Sequence, residues 1–363
     1  SWLAKMREMI VEARSNMPRK KKQQIRMGPL WDWSKGVTQS SLSLFASCRE
    51  QFYLGYIEGW TKKGFQTALE FGTMFHLMLE RVRNSSSPEE VAAEVCNSYE
   101  KARKPALTKE DYEEMQLTLV KAQCVFPLYV EYYREADSKR EWLKEEEVFK
   151  IPHKFAMPAA DGRSRACEVI LNGVRDGDYR TPLKKILGVF ETKTKSQISD
   201  PAIQDGLRAD LQTMLYLLSA QRQYKETPGE VLYNVIRRPG LLLRKNDDYK
   251  MYYERVRADI LDRPEWYFRR YEVTVLPEDI QTFIDTTLDP LLRCMIQWWE
   301  SIEKNPSDRW LSPYHYRNLA ALETKCGMAP LYDLMIRGKV REYFQRSSPF
   351  PELEGCSSLQ ETA

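Results

Sequence analysis

The sequence predicts an α/β protein in which a core of strands in mid-chain is flanked by helices and carries an N-terminal helical part. Three observations lead there. Residues 60–140 hold apolar side chains at helical spacing behind polar cap residues. From about residue 145 the pattern changes to short runs rich in β-branched and aromatic residues, separated by turn residues. Beyond residue 200, helix-like and strand-like stretches alternate, and no internal repeat is present. At 363 residues the chain is long enough for one large elaborated domain or for two, and 42% hydrophobic with 29% charged residues excludes a disordered chain.

In chain order, residues 3–15 read as a short amphipathic helix with Leu3, Met6, Ile10 and Val11 on one face. Residues 17–37, with Pro18, Gly28 and Gly36, read as a linker. Regular structure is expected from Thr38, where Thr38, Ser40 and Ser41 offer N-caps ahead of Leu42, Leu44, Phe45, Phe52, Tyr53 and Tyr56. A second helix is expected over Ala68–Arg81, and Pro88-Glu89-Glu90 and Thr108-Lys109-Glu110-Asp111 open two more. Strands are expected at Glu145–Phe155, Ala166–Asn172 and Ile186–Thr192, with turns at Asp161-Gly162 and Tyr179–Pro182. There follow a helix over Ile203–Gln221, strands at Val231–Arg237 and Phe268–Val275, and a long helix over Pro277–Glu303. The expected organisation is a basic helix and linker (1–37), a mainly helical part (38–144), an α/β core with C-terminal helices (145–338) and a mobile tail (339–363) rich in Ser, Pro and Glu.

Lys and Arg total 55 against 52 Asp and Glu, a formal charge of +3. This argues against a protein that coats nucleic acid indiscriminately and leaves room for a local basic channel. The charge is uneven: residues 1–36 hold nine Lys/Arg against three Asp/Glu, densest at Arg19-Lys20-Lys21-Lys22, either a solvated arm or one that binds phosphate. Seven scattered cysteines in a chain of this length do not form a disulfide scaffold and point to a reducing compartment. No apolar stretch is long enough for a bilayer and no leader is visible, so a cytoplasmic protein with no membrane partner is expected. Tyr267-Phe268 with Tyr271, Trp298-Trp299, and Tyr314 with Tyr316 read chiefly as packing residues, with base stacking as the alternative. Of the adjacent tryptophans, at most one is expected to point fully inward.

The chemistry is concentrated in Gly173-Val174-Arg175-Asp176 and Glu191-Thr192-Lys193. Asp176 is expected to end one strand and Glu191 to lie at the end of the next, with the turn between them bringing the strands side by side. Side chains alternate along a strand, so Glu191 and Lys193 share a face. Two carboxylates at one edge repel each other, and a divalent cation removes that cost. Mg²⁺ prefers oxygen ligands, one or two carboxylates plus substrate phosphate being its usual site. Bound there, it can generate hydroxide near neutral pH, with Lys193 positioning the attacking water or neutralising developing charge. By spacing alone, an Asp and an E-x-K triplet are also compatible with solvated charges on a sheet.

Three companions add specificity: Gly72-Thr73-Met74-Phe75-His76, Gln212-Thr213-Met214-Leu215-Tyr216, and the opening stretch from Thr38 to Cys48. With the motif order G-x-x-x-H, G-x-x-D, E-x-K, Q-x-x-x-Y, the chain resembles the RecB-type branch of the PD-(D/E)XK nuclease superfamily from about Thr38 to about Gly338. That branch includes nuclease domains of bacterial recombination helicase–nucleases, CRISPR-adaptation nucleases and many phage-encoded exonucleases, and the strand from Tyr233 to Pro239 looks most like the phage-encoded members. The resemblance implies a restriction-endonuclease-like fold, a central mixed sheet flanked by helices. It implies a deoxyribonuclease using Mg²⁺ or Mn²⁺, an exonuclease first of all, with DNA as partner and a recombination or single-strand-annealing protein as a further one; for a phage-encoded chain the setting is the host cytoplasm. Residue by residue, His76, Asp176 and Glu191 match the metal ligands, Lys193 the catalytic lysine, and Gln212 and Tyr216, four apart on one helical face, the pair that contacts the DNA backbone. Arg208, one turn earlier, and Lys195 are candidate phosphate contacts, while Asp178 and Asp210 read as solvated or supporting carboxylates.

One departure matters. Many members of the branch hold a [4Fe–4S] cluster through one early cysteine and a late triplet of cysteines. Here Cys48 matches the early position and Cys326 the first late one, but Ala329 and Met335 stand at the other two. Two thiolates do not hold such a cluster, and none is expected. The lost ligands leave a competing reading, a catalytically weak or inactive nuclease fold serving as a DNA- or partner-binding subunit. A hydrolase acting on other substrates has no nucleophile–base motif behind it.

Overall fold

The computed structural model describes residues 36–82, 87–158, 162–199, 203, 206–207, 210–318 and 343–346. The expected helix at 3–15, the basic run at 19–22, Arg208 and Cys326 lie outside them. In chain order the described elements are β1 (Val37–Thr38), α1 (Gln39–Ser47), α2 (Arg49–Phe52), a π-helical turn (Tyr53–Ile57), β2 (Trp60–Lys62), α3 (Thr67–Val82), α4 (Pro88–Arg103) and α5 (Lys109–Ser138). Then come β3 (Glu141–Pro158), β4 (Ser164–Arg180), β5 (Leu187–Lys195), α6 (Leu211–Tyr224), β6 (Glu230–Arg237), α7 (Tyr249–Asp262), α8 (Pro264–Tyr267) and β7 (Phe268–Thr274). The last are α9 (Pro277–Phe283), a second π-helical turn (Ile284–Leu288), α10 (Asp289–Ile302) and β8 (Phe344–Arg346).

The helix starts follow the polar residues that precede them. The Thr38 hydroxyl accepts from the Ser41 amide at 3.2 Å while the Ser41 hydroxyl accepts from the Thr38 amide at 2.9 Å. Ser87 caps α4, Thr108 caps α5 and Asp248 caps α7, each side chain accepting from the amide three residues on. The fold is mixed α/β, with a central sheet flanked by helices. The sheet has six strands in the order β1-β4-β5-β6-β7, with β3 pairing β4. β5 and β6 run parallel, from Gly188 opposite Glu230 to Lys195 opposite Arg237; β4 and β7 flank them antiparallel.

By contacts the chain forms two units, each assembled from separated stretches, whereas the sequence reading divides it in order at 37, 144 and 338. One joins the described parts of Ser1–Lys63, Pro152–Ile170 and Asp289–Pro351; the other joins those of Gly64–Ile151 and Leu171–Leu288. β3 and β4 run through both, so neither unit is a continuous length of chain.

In the second unit, Phe71, Phe75, Phe126, Tyr129, Tyr252 and Phe268 form an apolar layer against Ile236. On the other sheet face, Met214 and Leu217 of α6 meet Val231 and Val273. In the first unit, Phe45, Phe52 and Trp298 pack edge-on with centroids 5.4 to 5.5 Å apart. Trp299 is buried as well as Trp298, against the expectation that only one would be, and the Trp298 indole donates to His315 Nδ1 at 3.0 Å. β2 pairs antiparallel with β8, whose residues fall in the stretch expected to be a mobile tail.

Four further differences have local causes. The helix expected at Ile203–Gln221 is described as α6, starting at Leu211, because Asp210 is extended and its carboxylate accepts from both the amide and the hydroxyl of Thr213 at 2.8 Å. The helix expected over Pro277–Glu303 loosens into the π turn at Ile284–Leu288 just before Pro290, which has no amide hydrogen to donate. β4 runs past Asp176 to Arg180, so Asp176 lies within a strand and not at its end, and the turn shifts to 181–186, closed by the Thr181 amide on the Ile186 carbonyl at 3.0 Å. α7, with buried Tyr252, Val256 and Ile260, was not expected: its mostly polar sequence hides a narrow apolar stripe.

Glu50 of α2 is the buried carboxylate of the first unit. Arg309 grips it through two nitrogens, each at 2.8 Å, and His315 Nε2 lies 2.8 Å away. Burial pushes the Glu50 carboxyl up, but the hydrogen bonds and charges of Arg309 and His315 outweigh it and hold the group below its usual range. Glu50→Gln is therefore expected to lower the unfolding midpoint, since removing one partner of a buried pair costs about 3–5 kcal/mol. The wild-type advantage is complete above the unfolded carboxylate value and disappears as pH falls through the lower folded one, which thermal scans of both proteins between neutral and acid pH will show.

Candidate active site

Asp176 and Glu191 meet where β4 and β5 part. Their ladder covers Gly177 opposite Phe190 through Arg180 opposite Leu187. One step beyond, the Thr192 amide donates to the Asp176 carboxylate (Oδ2) at 2.6 Å. The side chain thus takes a backbone donor of β5, and the strand edge opens around the two acids. His76 of α3 reaches the other oxygen, its Nδ1 3.7 Å from Asp176 Oδ1. Gly72 lies one turn before His76 and allows that approach: a Cβ there would stand 3.2 Å from the Thr194 hydroxyl.

Glu191 is fully buried. The Lys193 ammonium sits against its Oε1, while Oε2 has no hydrogen-bond donor among the described residues. Burial pushes the Glu191 carboxyl well above its usual range and Asp176 adds to the rise, with Lys193 opposing both. Burial works against the Lys193 ammonium, but the Glu191 and Asp176 carboxylates overcome it and raise its proton affinity. Lys193 also donates to Gln212 Oε1, and Gln212 Nε2 donates to the Tyr216 hydroxyl at 2.8 Å. Gly173 serves the same chain: a Cβ there would strike the Phe149 ring at 2.6 Å, and that ring meets Tyr216 edge-on at 6.0 Å. Both motif glycines are thus places where an aromatic ring or a strand must come close.

The structure therefore brings together His76, Asp176, Glu191, Lys193, Gln212 and Tyr216. Lys195 lies two residues beyond Lys193 on the same strand face, its Nζ 6.0 Å from the Tyr233 ring centroid. Asp178 is not solvated: it is fully buried and receives Arg175 Nε at 2.9 Å and Nη2 at 2.7 Å, with the Tyr224 hydroxyl at 3.0 Å. Asp210 is the cap of α6. Cys48 is buried, where its sulfur accepts from the Asn318 amide at 3.4 Å. His153 is buried beside Asp289 and His315 beside Glu50, so of the three histidines only His76 is part-exposed.

Two buried networks escaped the sequence reading. On the α6 side, Arg175 also donates to the Ser219 hydroxyl at 2.8 Å and to Gln223. On the side of the helical layer, Asn234 donates to the Thr192 hydroxyl at 3.2 Å and to the Tyr129 hydroxyl at 2.9 Å. Its Oδ1 accepts from Arg270 Nε at 3.1 Å, and Arg270 is tied in turn to Asp137 and to Tyr129. The available signal was an arginine and an asparagine inside otherwise apolar strands, where a buried polar group must have partners.

Among the described residues no three histidine, cysteine or carboxylate side chains surround a common point, and Lys193 sits against one oxygen of Glu191. The donors nonetheless suit a hard divalent cation: two carboxylates, one with a buried oxygen lacking a donor, and one imidazole. Strand, site and motif order converge on a nuclease. The chain belongs to the PD-(D/E)XK nuclease superfamily, whose family model matches residues 36–306, about three-quarters of the sequence. Membership implies a metal-dependent nuclease, DNA as substrate and divalent ions such as Mg²⁺ as cofactor. No curated protein matches the chain. Among the described residues no helix is long and apolar enough to cross a membrane.

Two outcomes are expected. An acid whose folded value is raised loses stability for the fold as pH climbs from its unfolded value, about 4.3 for glutamate. In metal-free protein the contribution of Glu191, whose carboxyl is pushed up to about 8, should therefore decline as pH rises toward that value, and Glu191→Gln should remove this part of the pH dependence, read as unfolding midpoints in EDTA. Gly72→Leu should push α3 away from β5 and cut DNA cleavage at least tenfold, with far-ultraviolet circular dichroism unchanged.

Proposed function

We propose that the chain is a Mg²⁺- or Mn²⁺-dependent deoxyribonuclease of the RecB-type branch, an exonuclease acting on linear or single-stranded DNA ends in recombination, repair or phage DNA processing. The observation that carries the reading is the convergence of Asp176, buried Glu191 and Lys193 at one parted strand edge, with His76 alongside. The exonuclease assignment rests on the motif order alone, as does a recombination or single-strand-annealing protein as partner.

In this reading His76, Asp176 and Glu191 hold the cation. A cation held there would supply Lewis-acid chemistry for activating water and offsetting charge on the phosphate. Asp176 is held for the task by the Thr192 amide, so its second oxygen keeps a fixed direction. Lys193, with its proton affinity raised, stays an ammonium at neutral pH and acts by stabilising charge on the phosphate, not by taking a proton. Gln212 fixes the direction of one ammonium hydrogen and Tyr216 fixes Gln212, an orienting role that precedes any contact with the DNA backbone. Lys195 lies where a neighbouring phosphate would pass.

The test is a time course on linear DNA labelled at each end separately, with circular DNA as control. Mg²⁺ or Mn²⁺ should release short products from linear DNA only, and EDTA should stop the reaction. Lys193→Ala should slow cleavage by about 10²–10³, the scale of losing one charge-stabilising donor, with DNA affinity nearly unchanged. Undiminished cleavage by that variant refutes the role of Lys193. No cleavage by the wild type of any linear, circular, single- or double-stranded DNA would favour the binding-subunit reading.

A further inference from the structure

Two adjacent arginines on β7 meet opposite fates. Arg270 turns to the helical layer, where Asp137, Tyr129 and Asn234 bind it. Arg269 pairs across the sheet with Val235, which pairs with Lys193, so Arg269 shares the face of Lys193. One row further, Lys195 stands opposite Arg237 on that same face. Lys195, Arg237 and Arg269 have no carboxylate partner among the described residues, although Arg140, Arg175, Arg180, Arg255 and Arg263 of the same unit each have one. Arg237 instead lies over the half-exposed Trp266 ring, 3.8 Å from its centroid, and its buried Nε has no hydrogen-bond partner among the described residues. Burial, opposed by Tyr267 and aided by the nearby charges of Arg263 and Arg269, makes its guanidinium easier to deprotonate than usual.

Like charges on one sheet face oppose folding unless something negative lies against them. These cations continue the line Glu191, Lys193, Lys195 toward the carboxyl ends of the two parallel strands, where open α/β sheets bind their ligands. Lys195 is four residues beyond Glu191, about 13 Å at a rise of about 3.3 Å per residue, a few nucleotides along one DNA strand. We propose that Lys195, Arg237 and Arg269 form a phosphate track for the DNA strand beyond the cleaved bond, reading its backbone and not its bases. This rests on the placement of cleavage at Glu191 and Lys193, and adds the path of the strand on one side of it.

The full chain is titrated against labelled single-stranded oligonucleotides of two unrelated sequences, in Ca²⁺ and again in EDTA, at a series of salt concentrations. Arg269→Ala and Arg237→Gln should each weaken binding severalfold and equally for both sequences. Each should also reduce the slope of log affinity on log salt by about 1, the double variant by about 2. Lys109→Ala, a change at an exposed lysine of α5, should alter neither. An unchanged slope in a double variant whose unfolding midpoint matches the wild type overturns the track. If the double variant fails to fold, Lys195→Ala with Arg269→Ala decides by the same criterion. Cleavage is scored separately: a wild type that binds with the expected slopes and cuts nothing removes hydrolysis and keeps the track, whereas one that cuts while the variants keep their slopes does the reverse.

Discussion

The hydrogen bond from the Thr192 amide to the Asp176 carboxylate is the constraint on which the site turns. An antiparallel ladder that continued past Gly177 and Phe190 would hold the two strands together and leave no room between their side chains. By giving a β5 amide a carboxylate in place of a carbonyl, the chain ends the ladder without orphaning a buried donor. Asp176 thereby becomes a structural acceptor through one oxygen and leaves the other beside His76.

A parted edge with a buried acid at it is costly, and the sheet is braced on both faces. Behind Asp176, Arg175 locks Asp178 to α6; behind Thr192, Asn234 and Arg270 tie β5, β6 and β7 to α5. Buried networks of this kind stabilise only when nearly every member is satisfied, and they then fix one arrangement. Glu191 stands apart from them, a buried acid paired with one ammonium and nothing else among the described residues. The rigid surroundings and the under-satisfied centre are complementary: the first fixes where the second can accept a ligand.

Much of this was legible in the sequence. The caps at Thr38, Ser87 and Thr108 are short-range chemistry and could be placed within a residue. The turn between the strands of Asp176 and Glu191, and strand alternation from Glu191 to Lys193, could be read locally; the approach of His76, Gln212 and Tyr216 could be read only from motif order. What stayed hidden has the same root. Arg175, Asn234 and Arg270 look like ordinary polar residues until partners on other elements, 36 to 141 positions away, are brought to them. In the sequence Asp178 reads as either solvated or supporting; Arg175 stands only three residues before it, but that both are buried depends on Ser219, Gln223 and Tyr224 of α6, and α7 and the π turn before Pro290 depend on packing that a helical repeat does not display.

The first unit carries one more consequence. Its buried carboxylate, Glu50, waits for Arg309 and His315, which lie 259 and 265 residues later. At about 5–20 residues per second of synthesis, the growing chain passes about 13–50 s with that acid exposed and its aromatic neighbours Phe45 and Phe52 lacking Trp298. The second unit, whose described stretches end at Leu288, can close around its sheet earlier. The ribosome thus delivers the sheet edge that carries Asp176, Glu191 and Lys193 before the stretch that completes the Glu50 cluster of the other unit.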